Sequence, residues 1–152
     1  MLDVGGLVMF STYGPDTLKE LRQAFAAVDE LPHALRFIDM HDLGDMLAAA
    51  GFSEPVMDME VLTLTYETFD ALAADLRSTG QANAAIGRRR GLLGKDAYAT
   101  MRDTYEAMRT GGRLPATIEI VYGHAWRAES RMSPEGHSIV HTDFKRNLRG
   151  GG

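Results

Sequence analysis

The sequence predicts an α/β fold, and three observations predict it: an apolar run between turns, alternating β-branched segments, and helical spacing of apolar residues between them. The apolar run, residues 7–10, does not alternate with polar residues, so we expect a strand buried on both faces. The alternating segments predict a second strand over 55–66 and a third over 115–126.

Four helices are expected from apolar residues at helical spacing, over about 15–31, 39–50, 67–79 and 96–109. Pro15 suits the first turn of the first helix, and Gly51 suits the position just after the second. Residues 11–16 are expected to form a loop, and so is the basic stretch 80–95. The polar tail, 129–152, is expected to be disordered.

Length and composition bound the class of protein. The chain has 152 residues, 45% of them hydrophobic and 24% charged, which is typical of one globular domain. It has no cysteine, which excludes a disulfide framework and a thiolate metal site, and we expect no metal. No apolar run has the roughly 18 residues of a membrane span, and the N-terminus lacks a secretion signal. The sequence therefore predicts a cytoplasmic protein.

Charge is distributed unevenly along the chain. Residues 1–75 contain 14 acidic and 3 basic side chains, whereas residues 76–152 contain 7 acidic and 13 basic ones. The sharpest local feature is a basic segment that contains Arg88, Arg89, Arg90 and Lys95. Such a segment favours an acidic partner, although an ordinary solvated loop remains the alternative. Nucleic acid is a poorer partner, because the net charge is −5 and no aromatic residues interleave with the cluster.

The predicted elements make an incomplete sheet. A strand buried on both faces needs neighbours along both edges, and only two other strands are predicted. We therefore expect that part of the sheet lies upstream of this sequence. We also expect the unpaired edge of the first strand to promote self-association of this chain.

Several segments carry a joint resemblance to a known family over about residues 5–127. They are Gly5-Gly6-Leu7-Val8-Met9-Phe10-Ser11-Thr12, Gly14-Pro15-Asp16-Thr17-Leu18, Arg36-Phe37-Ile38-Asp39, Ala50-Gly51-Phe52, Leu62-Thr63-Leu64-Thr65-Tyr66, Gly87-Arg88-Arg89-Arg90-Gly91-Leu92, Leu114-Pro115-Ala116-Thr117 and Val121-Tyr122-Gly123-His124-Ala125-Trp126. In order and spacing they resemble the malonyl-acyl carrier protein O-methyltransferases of biotin synthesis, which are class I S-adenosylmethionine-dependent methyltransferases.

This resemblance implies the C-terminal half of a Rossmann-like, doubly wound domain, with a helical insertion before the last strand. Residues 1–128 would supply strands five, six and seven, in sheet order 5-7-6 with the seventh antiparallel, and the insertion would cover about 67–112. The resemblance places the S-adenosylmethionine site mainly in an N-terminal half. The sequence has no G-x-G-x-x-G fingerprint between a strand and a helix, and we expect no cofactor-binding residue in this chain.

The implied reaction methylates the free carboxylate of malonyl-acyl carrier protein. A carboxylate is ionised at pH 7, so no acid or base residue is expected. Arginine is the natural carboxylate ligand, and the substrate-binding candidates are Tyr13, Arg36 and Arg77. The basic segment would dock the acidic carrier protein. Two alternatives remain open: a methyltransferase fragment for another small acid, and a non-catalytic module that binds a carrier protein.

Overall fold

A computed structural model describes residues 2–31, 37–79, 91 and 93–128. The elements, in chain order, are β1 (Leu7–Tyr13), α1 (Lys19–Ala26), α2 (Met40–Ala49), β2 (Phe52–Tyr66), α3 (Phe69–Ser78), α4 (Lys95–Glu106) and β3 (Leu114–Arg127). Strands and helices are mixed along the chain, which confirms the α/β class. The predicted tail, 129–152, lies outside the described residues.

The three strands form one sheet in the order β1-β3-β2, and β3 is antiparallel to both of its neighbours. β1 and β2 therefore run in the same direction, with the last strand of the chain between them. This is the arrangement that the resemblance implies for strands five, seven and six. It places the carboxyl ends of β1 and β2 at the same edge of the sheet.

β1 is longer than the sequence predicted. Residues 11–13 were expected to form a loop, but Ser11, Thr12 and Tyr13 continue the strand and pair with residues 122, 121 and 120 of β3. The prediction was wrong because β3 is long enough to offer pairing groups along this whole stretch. Threonine and tyrosine also fit a pleated, half-buried surface well.

The prediction that residues 7–10 are buried on both faces was also wrong for the described structure. Exposure alternates along β1: Phe10 is half-buried, whereas Met9 on the opposite face is 71% exposed. β1 pairs with β3 along one edge only, and the described helices on Met9's face of the sheet pack at the other end of β3, against Leu114, Ala116 and Ile118. The strand is therefore apolar in sequence, although the described structure does not bury it under helices on both faces.

Helix boundaries follow local signals at α2 and α3. The Asp39 carboxylate accepts the backbone N–H of His41 at 2.8 Å and caps α2, and Gly51 follows that helix with φ +83°. Thr68 caps α3 by accepting the N–H of Ala71 at 3.2 Å. α1 begins at Lys19 and not near Pro15, because the preceding residues turn back onto β3.

Helices cover the two faces of the sheet unequally. α1, α3 and α4 pack over the face that carries Leu114, Ala116 and Ile118, and form the core of the protein there. α2 covers part of the opposite face, near Met57 on β2. Among the described helices, none has the length and apolar character that crossing a lipid bilayer requires.

Candidate functional site

A cleft with a volume of about 380 Å³ lies between α1, α3 and α4. It lies just beyond the carboxyl end of β2, because α3 follows that strand directly. Ligands of open α/β sheets bind on this side of the sheet. Apolar side chains form most of the lining: Leu21, Phe25, Leu72, Ala73, Leu76 and Met101.

Arg77, one of the predicted substrate ligands, lines this cleft from the last turn of α3. Its position favours a guanidinium, because the C-terminal end of a helix carries partial negative charge. No described residue forms a hydrogen bond or ion pair with Arg77. Arg102 on the neighbouring α4 differs, because it pairs with the Asp70 carboxylate at 3.3 Å and lies 6.0 Å from the ring centre of Phe69. Arg77 therefore retains its bonding capacity within the described structure.

Tyr13 lies in a different place. It ends β1 and lines a second concavity with Ser11, Thr12 and Ile120. Its ring contacts the ring of Phe37, with 5.5 Å between the centroids. Tyr13 and Arg77 thus line separate concavities, so the structure does not bring these two candidates into one described pocket.

The other predicted site residues are distributed as follows. Arg36, Arg88, Arg89 and Arg90 lie outside the described residues. Lys95 is the first residue of α4 and is exposed to solvent. The helix dipole does not stabilise a lysine at this position, because the N-terminal end of a helix carries partial positive charge. Its placement leaves the ammonium group accessible to a partner.

A group of carboxylates and hydroxyls fixes the loop that follows β1, and the sequence did not reveal it. The carboxylate of Glu119, a residue only 5% exposed, accepts the backbone N–H of Asp16 at 2.6 Å. The Thr17 hydroxyl donates to the Glu119 carbonyl at 3.0 Å, and the Glu20 carboxylate accepts the Thr117 N–H at 3.0 Å. The loop at the carboxyl end of β1 is thereby tied to β3.

One signal pointed to Glu119. It alternates in phase with Thr117 and Val121 along β3, so it shares their face, and both of them are buried. A carboxylate among buried neighbours is rarely left without hydrogen-bond donors. The identity of those donors was not predictable, because they come from residues about a hundred positions earlier in the chain.

Two tyrosines beside the helical core have a raised pKa. Burial, followed by the hydrogen bond that its hydroxyl donates to Asp75 at 2.5 Å, raises the pKa of Tyr66 to about 12. Burial also raises the pKa of Tyr105, whose hydroxyl donates to the Pro115 carbonyl at 2.7 Å. Both hydroxyls therefore stay protonated at neutral pH and serve as structural donors.

The described residues do not fit an S-adenosylmethionine site. The loop after β1 uses its own donors, since the N–H groups of Gly14 and Leu18 bond to carbonyls of β3 and that of Asp16 bonds to Glu119. Gly14 also packs directly against the Glu119 side chain, so no space remains between this loop and β3. Within the part of the chain that the structure describes, no cluster of three or more metal-binding side chains occurs.

Comparison with known proteins gives a consistent result. The chain is 57% identical over 145 residues to a malonyl-[acyl-carrier protein] O-methyltransferase of Gallionella capsiferriformans, which covers 95% of this chain and 50% of that protein. It is 56% identical over 133 residues to the protein of the same name from Nitrosospira multiformis, covering 88% of this chain and 43% of that one. The Laribacter hongkongensis protein of that name is 55% identical over 131 residues, covering 86% and 44%. No protein-family model matches the chain.

The chain spans about half the length of the curated relatives that it matches. The match runs through nearly all of the described elements, and the sheet order agrees with the resemblance seen in the sequence. Over the region it shares with these relatives, the chain belongs to the malonyl-[acyl-carrier protein] O-methyltransferase family.

Proposed function

We propose that this chain supplies the acceptor-binding part of an enzyme that transfers a methyl group from S-adenosylmethionine to the free carboxylate of malonyl-acyl carrier protein. The observation that carries the proposal is the 57% identity across 95% of the chain to a protein of that name. We assign S-adenosylmethionine mainly to the half of the relatives that this chain does not match, and the closed loop after β1 supports that assignment. In this proposal the chain supplies part of the complete enzyme.

The chemistry asks this chain to bind and to orient, and not to move a proton. The acceptor carboxylate is already ionised at pH 7, since ordinary carboxyl pKa values lie near 4. Holding that group in line and excluding water from it supply the rate advantage. Arg77 is the described candidate that faces an apolar cleft, and Arg36 and Tyr13 are the further candidates from the sequence.

The uncovered part of the sheet fits a protein of twice this length. Beyond the helical core, one face presents apolar side chains to solvent, including Met9, Val56 at 51% and Trp126 at 43% exposure. β1 also has no partner along its outer edge among the described residues. Apolar patches of this kind are normally covered, which supports packing of a cofactor-binding half against this face.

Restoring that half tests the proposed function. The half of the Gallionella capsiferriformans relative that this chain does not match is joined to this chain, and transfer of a labelled methyl group to malonyl-acyl carrier protein is measured. We expect transfer to malonyl-acyl carrier protein and none to acetyl-acyl carrier protein, which lacks the free carboxylate. A restored protein that binds S-adenosylmethionine but methylates a different small acid would replace the proposed acceptor.

Docking of the carrier protein is tested separately. Arg88, Arg89 and Arg90 are changed together to Glu, and Lys95 is changed to Glu in a second variant. Charge reversal is expected to weaken capture of malonyl-acyl carrier protein, and the loss should grow at low ionic strength, where charge steering is strongest. Changing the same three arginines to Lys keeps the charge and serves as the matched control. Capture that is equal in the Glu and Lys variants would rule out docking through this segment.

A further inference from the structure

The cleft between α1, α3 and α4 is larger and more apolar than a malonyl group requires. Its volume is about 380 Å³ and it is open to solvent, so a chain longer than the malonyl group can lie in it. A malonyl group is smaller than this and is polar at both ends. The lining is dominated by aliphatic and aromatic side chains, which gain most from contact with methylene groups.

Among the described side chains that line the cleft, one is a cation. Arg77 contributes a guanidinium at the end of α3, and the described lining contains no carboxylate. Arg102 on α4 is already held by Asp70 and lies outside the lining. An apolar cleft with one uncompensated guanidinium is complementary to an apolar chain that ends in an anion.

We propose that this cleft binds a straight-chain saturated carboxylate of medium length, with its acid group on Arg77 and its chain between α1, α3 and α4. Decanoate is the member of this class used as the probe. The ligand is a free fatty acid. Its binding needs no methyl donor, and it would compete with a malonyl carboxylate for Arg77.

Both parts of the ligand contribute in this arrangement. Each methylene group that leaves water for the cleft favours binding, and a chain without an acid group therefore still binds weakly. The carboxylate adds a charge-assisted hydrogen bond to the guanidinium and fixes the direction of the chain. Acetate, which has the charge without the chain, is not expected to bind measurably.

Calorimetry with the whole chain tests the proposal, with decanoate, 1-decanol and acetate as probes. We expect one decanoate per chain and binding of 1-decanol that is about tenfold to a hundredfold weaker. Arg77→Met should weaken decanoate by the same factor and leave 1-decanol unchanged. Arg102→Met, which removes the same charge from a residue outside the lining, is the matched control and should leave both unchanged.

Two further readouts locate the bound chain. Ala73→Leu extends a half-buried side chain of α3 into the cleft and should abolish decanoate binding while the protein remains folded by circular dichroism. In a protein labelled at the methionine methyl groups, decanoate should shift the resonance of Met101, which lines the cleft. The Met9 resonance, from the exposed sheet face, should not move.

Several results would overturn the proposal. Equal affinity for decanoate and 1-decanol, or an unchanged affinity in Arg77→Met, would remove the role of the guanidinium. Binding that survives Ala73→Leu, or that shifts Met9 in place of Met101, would place the fatty acid on the exposed sheet face. Absence of saturable binding would end the proposal without affecting the methyl-transfer proposal, which is measured with a different acceptor.

Discussion

Gly123 at the centre of β3 offers a sharp test of how the sheet is packed. A methyl group built on this glycine would lie 2.5 Å from Cζ of Phe10 and 2.9 Å from Sδ of Met57. Non-bonded carbon atoms prefer about 3.5–4.0 Å, so the Phe10 ring would have to move by about 1 Å. The neighbouring strands have therefore packed into the space that the missing side chain leaves.

Gly123→Ala should consequently destabilise the protein. Overpacking of this kind costs about 1–3 kcal/mol, and the lower chain entropy of alanine in the unfolded state returns about 0.4–1 kcal/mol. We expect a net loss of about 1–2 kcal/mol, measured by urea unfolding monitored with circular dichroism.

A matched glycine gives the control for this substitution. At Gly44 in α2 the nearest atom to an added methyl group is Met57 Cγ at 3.5 Å, which is ordinary contact. Gly44→Ala should therefore stabilise the protein by about 0.5–1 kcal/mol, because alanine is the better helix former. Phe10→Leu combined with Gly123→Ala should cost less than the two single changes together. A Gly123→Ala protein as stable as the original, or strictly additive effects, would refute this account of the packing.

Three further outcomes follow from single contacts. Thr68→Ala removes the cap of α3 and should reduce the free energy of unfolding by about 1 kcal/mol in urea titrations, whereas Thr68→Ser should retain most of it. The raised pKa of Tyr66 favours its protonated form in the folded state, so its contribution is complete below about pH 10 and is lost as the pH rises through about 12. In an ultraviolet titration of phenol ionisation, Tyr66→Phe should therefore remove one ionisation step with a midpoint near pH 12. An unchanged titration curve would contradict that assignment. The unpaired edge of β1 should make this chain self-associate as its concentration rises, and Met9→Lys should reduce the average mass in sedimentation; a monomer at all concentrations would show the edge to be harmless.

The parts of the fold that were predictable depend on neighbours in sequence. Asp39, Gly51 and Thr68 mark helix ends through bonds or backbone angles that involve only a few adjacent residues. The start of α1 was not predictable in this way. Leu18 has φ 56°, a left-handed conformation that a leucine rarely adopts, and its N–H is bonded to the Thr117 carbonyl of the distant β3.

Strand lengths were missed for a related reason. β2 was expected to start at Pro55, but it begins at Phe52, because an irregularity near Glu54, at φ 52°, shifts the register and lets residues 52 and 53 pair with 127 and 126. Neither the bulge nor the extra pairing is visible without β3. The long-range partners of β1 and β2 therefore decided where both strands began and ended.

In the candidate site, too, the chemistry of single residues was predictable, whereas features built by distant parts of the chain were not. Arginine chemistry made Arg77 a candidate carboxylate ligand, because carboxylate recognition favours its planar fork. In the structure Arg77 lines a cleft, and its role as a ligand stays a prediction. The cleft itself joins three helices that lie far apart in sequence, so its size and apolar lining were not predictable. Tyr13 was expected in the loop after the first strand, but it is the last residue of β1 and lines a separate concavity.

The division of labour in the proposed enzyme makes acceptor binding and methyl transfer separable. A carboxylate needs no base, so an acceptor site requires only a cation and walls that exclude water, and Arg77 is the proposed cation. The donor needs a site that the described residues do not form. Arg77→Met in the restored protein should therefore leave the affinity for S-adenosylmethionine unchanged. Should the substitution weaken donor binding as much as acceptor binding, Arg77 would act on the packing of the two halves and not on the carboxylate.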